Sequence, residues 1–112
     1  MTLPEEATLL RIIVEDSDRM EGKPLHEVIV TKAHEMGLAG ASAFQGLMGF
    51  GAHSHIHKVQ ALRQSGHLPV AIEIVDAEER LRPFLPWLNE NLKEGVATMQ
   101  TVKVLHYRHR DE

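Results

Sequence analysis

The amino-acid sequence predicts an α+β fold: a ferredoxin-like βαββαβ sandwich, in which an antiparallel four-stranded sheet carries two helices on one face. Three observations predict it. Four segments have the apolar content of strands, two segments follow helical spacing, and the connections between them are short. With 112 residues, the chain is expected to form one domain, residues 1–112.

The first predicted strand runs from Ala7 to Asp16, with apolar residues on both of its faces. An acidic run, EDSDR (Glu15 to Arg19), follows; it resembles a carboxylate cluster but is interpreted as a solvated turn. Pro24 then suits the first turn of a helix, because the N–H that proline lacks has no intrahelical partner there. Gly37 is predicted to end this helix in a left-handed conformation.

The second predicted strand runs from Ala41 to Phe50, and Gly46 within it indicates a bulge or a close backbone approach. The third strand is His67 to Asp76, with apolar residues at alternate positions. Asp76 and Glu79 have the spacing of a capping box, which predicts the start of the second helix.

The second helix is predicted to be interrupted. Apolar residues follow helical spacing from Leu81 to Leu92, yet Pro83 and Pro86 lie within this stretch. Proline removes a helical hydrogen bond, so we expect a kink or a restart near residue 82. Gly95 ends the region, and the last strand is predicted from Ala97 to Arg110.

The strands also carry apolar residues on their second face, among them Ile13, Ala71, Val75 and Leu105. A one-layer sheet that faced water on that side would carry polar residues there. We therefore expect the second face to be buried in a closed symmetric oligomer. A monomer with a few exposed apolar residues is the alternative.

Composition excludes several classes of function. The net charge of −4 offers no basic surface for nucleic acid, and the chain contains no cysteine. No stretch predicts membrane insertion, and the first residues lack the basic region of a secretory leader, so we expect a cytoplasmic protein. No nucleophile-base motif is visible, so no catalytic residue is assigned and an enzyme is not expected.

The stretch GLMGFGAHSHIHKVQ raises a metal hypothesis. His53, His55 and His57 would share one face of an extended strand, and imidazole nitrogens bind zinc, copper or nickel. Adjacent strand positions rarely converge on one ion, although one histidine from each subunit of a symmetric oligomer could do so. The alternative is a solvated loop whose charge depends on pH.

Three stretches together resemble a known family: GASAFQGLMGFGAHSHIH, LPVAIEIVDAEE and EGVATMQTVKV. They look like the PII-like proteins catalogued as domain of unknown function 190, and are distantly similar to the nitrogen regulatory PII signalling proteins. The resemblance implies a homotrimer whose sheets face inward and whose inter-subunit clefts bind adenine nucleotides. It also implies a loop, the T-loop, at about residues 51–67, which changes conformation with the ligand and docks on targets.

Particular residues match the family's nucleotide site. Gly49, Phe50 and Gly51 match its Gly-Phe-Gly at the base of the loop, where backbone groups meet phosphates. Ser42 matches a threonine near the adenine, and Gly95 matches the first glycine of the loop before the last strand. The family's Gly-x-Gly-Lys is missing after that glycine, as is the tyrosine motif of the T-loop, so covalent modification of that tyrosine is not expected.

Arg108 and Arg110 resemble an Arg-x-Arg whose side chains hold phosphates in the family. Two residues apart on a strand, they would point the same way and could make bidentate contacts to phosphate oxygens. The alternative is a solvated tail in which Asp111 and Glu112 pair with them.

The resemblance therefore implies a PII-like signalling protein. Its effector would be an adenine nucleotide (ATP, ADP or AMP), another small anion being the alternative, and no cofactor is required. Its partner would be a membrane transporter, a channel or an enzyme. The rival hypothesis is a divalent-metal-binding or metal-tolerance module that uses His53, His55 and His57.

Overall fold

The computed structural model describes residues 2–51, 57–58 and 67–109, which form the predicted α+β fold. In chain order the strands are β1 (Glu6–Glu15), β2 (Arg19–Met20), β3 (Lys23–Pro24), β4 (Gly40–Gln45), β5 (Met48–Gly49), β6 (His57–Lys58), β7 (Pro69–Asp76) and β8 (Val96–Lys103). The helices are α1 (Leu25–Glu35), α2 (Glu78–Leu81) and α3 (Leu85–Asn91).

The main sheet has four antiparallel strands in the order β4-β7-β1-β8. This is the order that a βαββαβ chain adopts when both helical regions cover one face of the sheet. The two central strands are β7 and β1, and Ile12 of β1 lies opposite Ile72 of β7. None of the helices among residues 2–51 and 67–109 is long and apolar enough to cross a membrane.

The core lies between the sheet and the helices. Alternate residues of β1 and β7 point into it, and one side of each helical region packs against them. Burial of each such side chain stabilises the fold by about 1.5–3 kcal/mol. The core residues are Leu10, Ile12, Val14, Val70, Ile72, Ile74, Leu25, Ile29, Ala33, Leu81, Phe84 and Leu88.

The ends of the helices follow the sequence closely. Helix α1 ends at Glu35, and Gly37 takes a left-handed φ of 73° just beyond it. The Leu38 N–H donates to the Ala33 carbonyl at 3.1 Å, which satisfies a carbonyl that the helix end would leave unpaired. The predicted interruption is also confirmed, since a 3-10 turn at Arg82–Phe84 separates α2 from α3.

The predicted capping box is wrong. The residue that caps α2 is Ala77, and no side chain makes a cap hydrogen bond. Asp76 is instead fully buried at the end of β7, where its carboxylate accepts the Ala77 N–H at 2.7 Å and the Ala39 N–H at 2.9 Å. Arg80 adds a third donor, with Nε 3.0 Å from Oδ2. The carboxylate therefore joins three segments instead of capping one helix.

Two strand ends and one connecting segment differ from the prediction. Strand β4 ends at Gln45, because Gly46 turns over Pro69 and donates its N–H to the Pro69 carbonyl at 2.7 Å. The predicted loop after β1 contains the hairpin β2–β3. The last strand ends at Lys103 instead of Arg110, so Leu105 lies beyond the sheet and is 87% exposed.

The sheet face away from the helices is partly apolar, as predicted for Ile13, Ala71 and Val75, which alternate with buried neighbours. One row crosses all four strands there: Phe44 pairs with Ala71, Ala71 with Ile13, and Ile13 with Val96. Phe44 is 53% and Val96 50% exposed in the single chain. We call this the open-face row.

Candidate functional site

A cleft of about 680 Å³ opens at the end of the sheet where β1 finishes and β8 begins. This volume lies within the range of small-ligand sites. Four of the residues that the sequence singled out line it together: Gly49, Phe50, Gly51 and Gly95. The structure thus brings two distant parts of the sequence to one place. The other lining residues are Ile13, Val14, Glu15, Asp18, Met48, His67, Pro69, Glu94 and Val96.

Pro69, at the start of β7, explains two glycines near the cleft. A Cβ on Gly46 would lie 2.6 Å from the Pro69 Cγ, and a Cβ on Gly49 would lie 3.1 Å from the same atom. These are close packing contacts, and they set the path of the chain from β4 into β5. Gly49 therefore has a structural reason to be glycine that is independent of any ligand.

Gly95 is required by the backbone. Its φ is 113°, and a Cβ there would lie 2.4 Å from the carbonyl oxygen of Ile13. Glycine adopts such a φ without the strain that a side chain causes. Gly95 therefore lets the chain turn into β8 directly against the end of β1, which closes one side of the cleft.

Gly51 differs from Gly49 and Gly95. No atom of the described residues lies within 4 Å of the position its Cβ would take, and its φ is outside the left-handed region. Neither packing nor backbone conformation in the described residues explains a glycine there. Beside it, Phe50 exposes 69% of its surface at the cleft. Together they form an open floor where a ligand can approach the backbone.

The chain returns to β7 through a fixed anchor. The Asp16 N–H donates to the Leu68 carbonyl at 2.8 Å, and the Leu68 N–H donates to Asp16 Oδ1 at 3.1 Å. Next to it, His67 Nδ1 lies 3.1 Å from Ser17 Oγ and 3.4 Å from Glu15 Oε2. Both bases of the segment between β5 and β7 are therefore held in place.

The described side chains give the cleft an acidic character. Glu15, Asp18 and Glu94 line it, and none of the described lining residues is a lysine or an arginine. The EDSDR run contains the predicted turn, between the end of β1 at Glu15 and the start of β2 at Arg19, yet two of its carboxylates form part of the cleft wall. The sequence carried the relevant signal, since the run follows directly on β1, but the pairing of β1 with β8 was needed to place it.

Ser42 is not among the residues that line the cleft. It is an exposed residue of β4 whose register partner is Glu73, and Glu73 in turn pairs with Arg11. Arg11 donates from Nη2 to Glu73 Oε2 at 2.7 Å, so an ion pair occupies the middle of the open sheet face. This row is adjacent to the open-face row, about 7 Å further along the strands.

Arg108 does not meet the glycines within one chain. The segment after β8 is tied to the opposite end of the sheet, where the Val104 N–H donates to the Glu5 carbonyl at 2.7 Å. The Tyr107 hydroxyl then donates to the Ala39 carbonyl at 2.6 Å. The cleft lies at the other end of β1, about 30 Å away along the strand. Arg110 lies outside the described residues.

The metal hypothesis falls largely outside the described residues. His53 and His55 are not among them, and for His57 only the backbone is described, in register with Gly49. Within residues 2–51 and 67–109, no group of three or more histidine, aspartate or glutamate side chains is arranged to hold a metal ion.

Comparisons with known proteins agree with this fold. A model of the family DUF190 (uncharacterized ACR, COG1993) matches residues 7–104. A UPF0166 protein of Aquifex aeolicus is 34% identical over 98 residues, covering 88% of this chain and 92% of the relative. A UPF0166 protein of Methanocaldococcus jannaschii is 33% identical over 90 residues, covering 80% and 82% of the two chains.

Solved structures show the same fold at lower identity. CPII from Thiomonas intermedia K12, bound to ADP and bicarbonate, superposes with a TM-score of 0.66 at 19% identity, covering 88% of each chain. A PII-like signaling protein from Thermus thermophilus superposes with a TM-score of 0.64 at 19% identity, covering 88% of this chain and 89% of its own. The element order, the sheet and the helical layer are therefore those of PII-like proteins.

Proposed function

The chain belongs to the DUF190 family, and we propose that it is a PII-like regulatory protein that binds an adenine nucleotide and reports it to a partner. The observation that carries this proposal is the cleft in which Gly49, Phe50, Gly51 and Gly95 meet. It lies at the base of the segment at about residues 51–67, so a ligand there would contact the point from which that segment departs. Another solved structure of CPII, a nitrogen regulatory PII-like protein, holds ADP, AMP and bicarbonate.

The cleft offers different groups to the two parts of a nucleotide. Ile13, Val96 and Phe50 supply apolar and aromatic surface for an adenine ring. Gly51 leaves its backbone open, so a phosphate oxygen can approach its N–H without meeting a side chain. The protein in this proposal is not an enzyme: it needs only to bind the nucleotide and change the preferred state of the segment at about 51–67.

The proposed assembly is a homotrimer with the open sheet faces inward. The open-face row supports it, because Phe44 and Val96 expose apolar surface that a neighbouring copy would cover. Arg108 supports it as well. Since it lies at the far end of the sheet, it can reach a phosphate in the glycine cleft only from a neighbouring subunit. Ser42 would then lie near the seam between subunits.

The target in this proposal is a membrane transporter, a channel or a metabolic enzyme that contacts the segment at about 51–67. Nucleotide binding would favour one conformation of that segment, and the target would bind one conformation better than the other. The required coupling free energy between nucleotide binding and target binding is modest, since values of about 1–3 kcal/mol are typical of such linkage.

Thermal shift measurements test the proposal. ATP, ADP, AMP and cyclic AMP are compared with zinc, copper and nickel, and at least one nucleotide should raise the melting temperature by several degrees. Replacement of Arg108 and Arg110 by alanine should reduce that rise. A rise with metals alone, abolished when His53, His55 and His57 are replaced by alanine, would contradict the proposal and support a metal-binding module.

A further inference from the structure

The acidic turn, defined here as Glu15 to Asp18, forms one wall of the glycine cleft and is held there by its own hydrogen bonds. The Glu15 N–H donates to Asp18 Oδ2 at 3.0 Å, and the Asp18 N–H donates to the Glu15 carbonyl at 3.1 Å. Asp16 ties the same turn to Leu68 in both directions. The wall is therefore a fixed part of the cleft, and Glu15 and Asp18 carry its charge.

Within one chain, the described neighbours of the turn give it little compensating charge. Arg19, next in sequence, donates to the backbone carbonyls of Asp16 and Asp18 at 2.8 and 3.2 Å, and it does not line the cleft. His67 is the one described lining residue that can become cationic, and it lies 3.4 Å from the Glu15 carboxylate. On the opposite side, Gly95 is followed by Val96, so no lysine enters from the start of β8.

Fixed carboxylates change the affinity of a ligand according to its charge more than according to its shape. Each phosphate added to AMP brings about one more negative charge into the same cleft. Like charges about 6 Å apart in a water-filled cleft repel strongly enough to change an equilibrium by about three- to tenfold for each carboxylate. The acidic turn therefore penalises each added phosphate while leaving the adenine contacts unchanged.

We propose that the acidic turn determines specificity, so that the cleft prefers an adenine nucleotide with a single phosphate, such as AMP, over ADP and ATP. Glu15 and Asp18 are the determining residues. This inference rests on the proposed nucleotide site and adds to it the charge class of the ligand.

Isothermal titration of the full chain with adenosine, AMP, ADP and ATP tests it. The titrations are run with EDTA, so that no divalent cation neutralises the phosphates, and at about pH 8, where histidine side chains are ordinarily neutral. AMP should bind about tenfold or more tightly than ATP. Glu15→Gln and Asp18→Asn keep the side-chain shape and one acceptor oxygen each, and each should narrow the ratio of the AMP affinity to the ATP affinity by about three- to tenfold.

Glu35→Gln is the matched control, since it changes the net charge equally at an exposed position of α1 that does not line the cleft. The Glu35→Gln variant should leave the ratio of the AMP affinity to the ATP affinity unchanged. ATP binding as tightly as AMP, or a preference for AMP that neither turn variant alters, would overturn the inference and leave the proposed function standing. No binding of any of the four compounds would overturn both.

Discussion

The hydroxyl of Tyr107 donates a hydrogen bond to the carbonyl oxygen of Ala39 over 2.6 Å, which joins the segment after β8 to the loop before β4. The N–H of Ala39 in turn donates to the buried carboxylate of Asp76 at 2.9 Å. One residue thus connects the C-terminal segment to the core. Because Arg108 follows Tyr107 directly, this connection sets where the arginine leaves the fold.

Tyr107→Phe should loosen the C-terminal segment. The variant loses the hydrogen bond to Ala39, which is worth about 1 kcal/mol, so open forms of the segment should become about fivefold more populated. Trypsin cleavage after Arg108 measures this, and the cleavage rate should rise by about that factor. Leu105→Ala, in the same segment and 87% exposed, should leave the rate unchanged. Equal rates for wild type and Tyr107→Phe would show that the bond does not restrain the segment.

Asp76→Ala should be strongly destabilising. It would leave the N–H groups of Ala39 and Ala77 and the Nε–H of Arg80 without their acceptor at a position where Asp76 is fully buried. We expect a loss of about 3 kcal/mol in the free energy of unfolding, measured by urea denaturation.

The second i,i+4 ion pair of the same helical region serves as the control. Arg82 pairs with Glu78, and both side chains are largely exposed. Arg82→Ala should therefore change the free energy of unfolding by about 0.5 kcal/mol or less. Similar losses for Asp76→Ala and Arg82→Ala would contradict a central role for the buried carboxylate.

A comparison of Gly95→Ala with Gly51→Ala should distinguish a glycine that the fold requires from a glycine that ligand binding requires. At Gly95, φ is 113° and a Cβ would lie 2.4 Å from the Ile13 carbonyl oxygen. We therefore expect Gly95→Ala to lose about 2–4 kcal/mol in the free energy of unfolding. At Gly51, no atom in the described part of the chain lies within 4 Å of the Cβ position, so the loss in the free energy of unfolding should be about 0.5 kcal/mol or less. Denaturant titration of the two variants measures both values, and a large loss at Gly51 would refute the assignment.

Larger side chains at Gly51 should weaken nucleotide binding without unfolding the protein. Gly51→Val places a branched side chain over the backbone that the ligand would approach, so we expect affinity to fall by about tenfold or more. Titration calorimetry measures the affinity, and circular dichroism confirms the fold. Unchanged affinity in a folded Gly51→Val protein would move the site away from this residue.

Phe44→Glu should dissociate the proposed trimer. The change places a charge in the open-face row, where desolvation without a partner is costly. Light scattering should report a monomer that keeps its circular dichroism spectrum. Leu105→Glu, an exposed position beyond the sheet, is the matched control and should remain trimeric. A wild-type chain that is monomeric at micromolar concentration would contradict the proposed assembly.

Local patterns predicted much of the fold. Alternating apolar residues predicted the two central strands, Gly37 ended α1, and the two prolines interrupted the second helical region. These features depend on contacts close in sequence, so a single sequence contains the information. The end of β8 at Lys103 could not be predicted in the same way, since it depends on where β1 stops offering a partner.

The candidate site was predicted only in part. Gly51 and Gly95 could be matched to a family pattern, and the structure brings them to one cleft. The acidic turn was interpreted as solvated, because nothing local showed that the start of β8 would lie beside it. Arg108 was expected on a strand with Arg110, but the chain leaves the sheet at Lys103 and crosses to Ala39. Long-range pairing decided each of these cases.

Amide NMR spectroscopy of the labelled protein during titration with AMP tests the central claim most directly, because it reports where the nucleotide binds. The account predicts saturable shifts at the amides of Phe50, Gly51 and Gly95, with small changes at Val28 and Thr31 on the far side of α1. Saturable shifts confined to the outer surface of α1, with Gly51 and Gly95 unmoved at saturation, would contradict it.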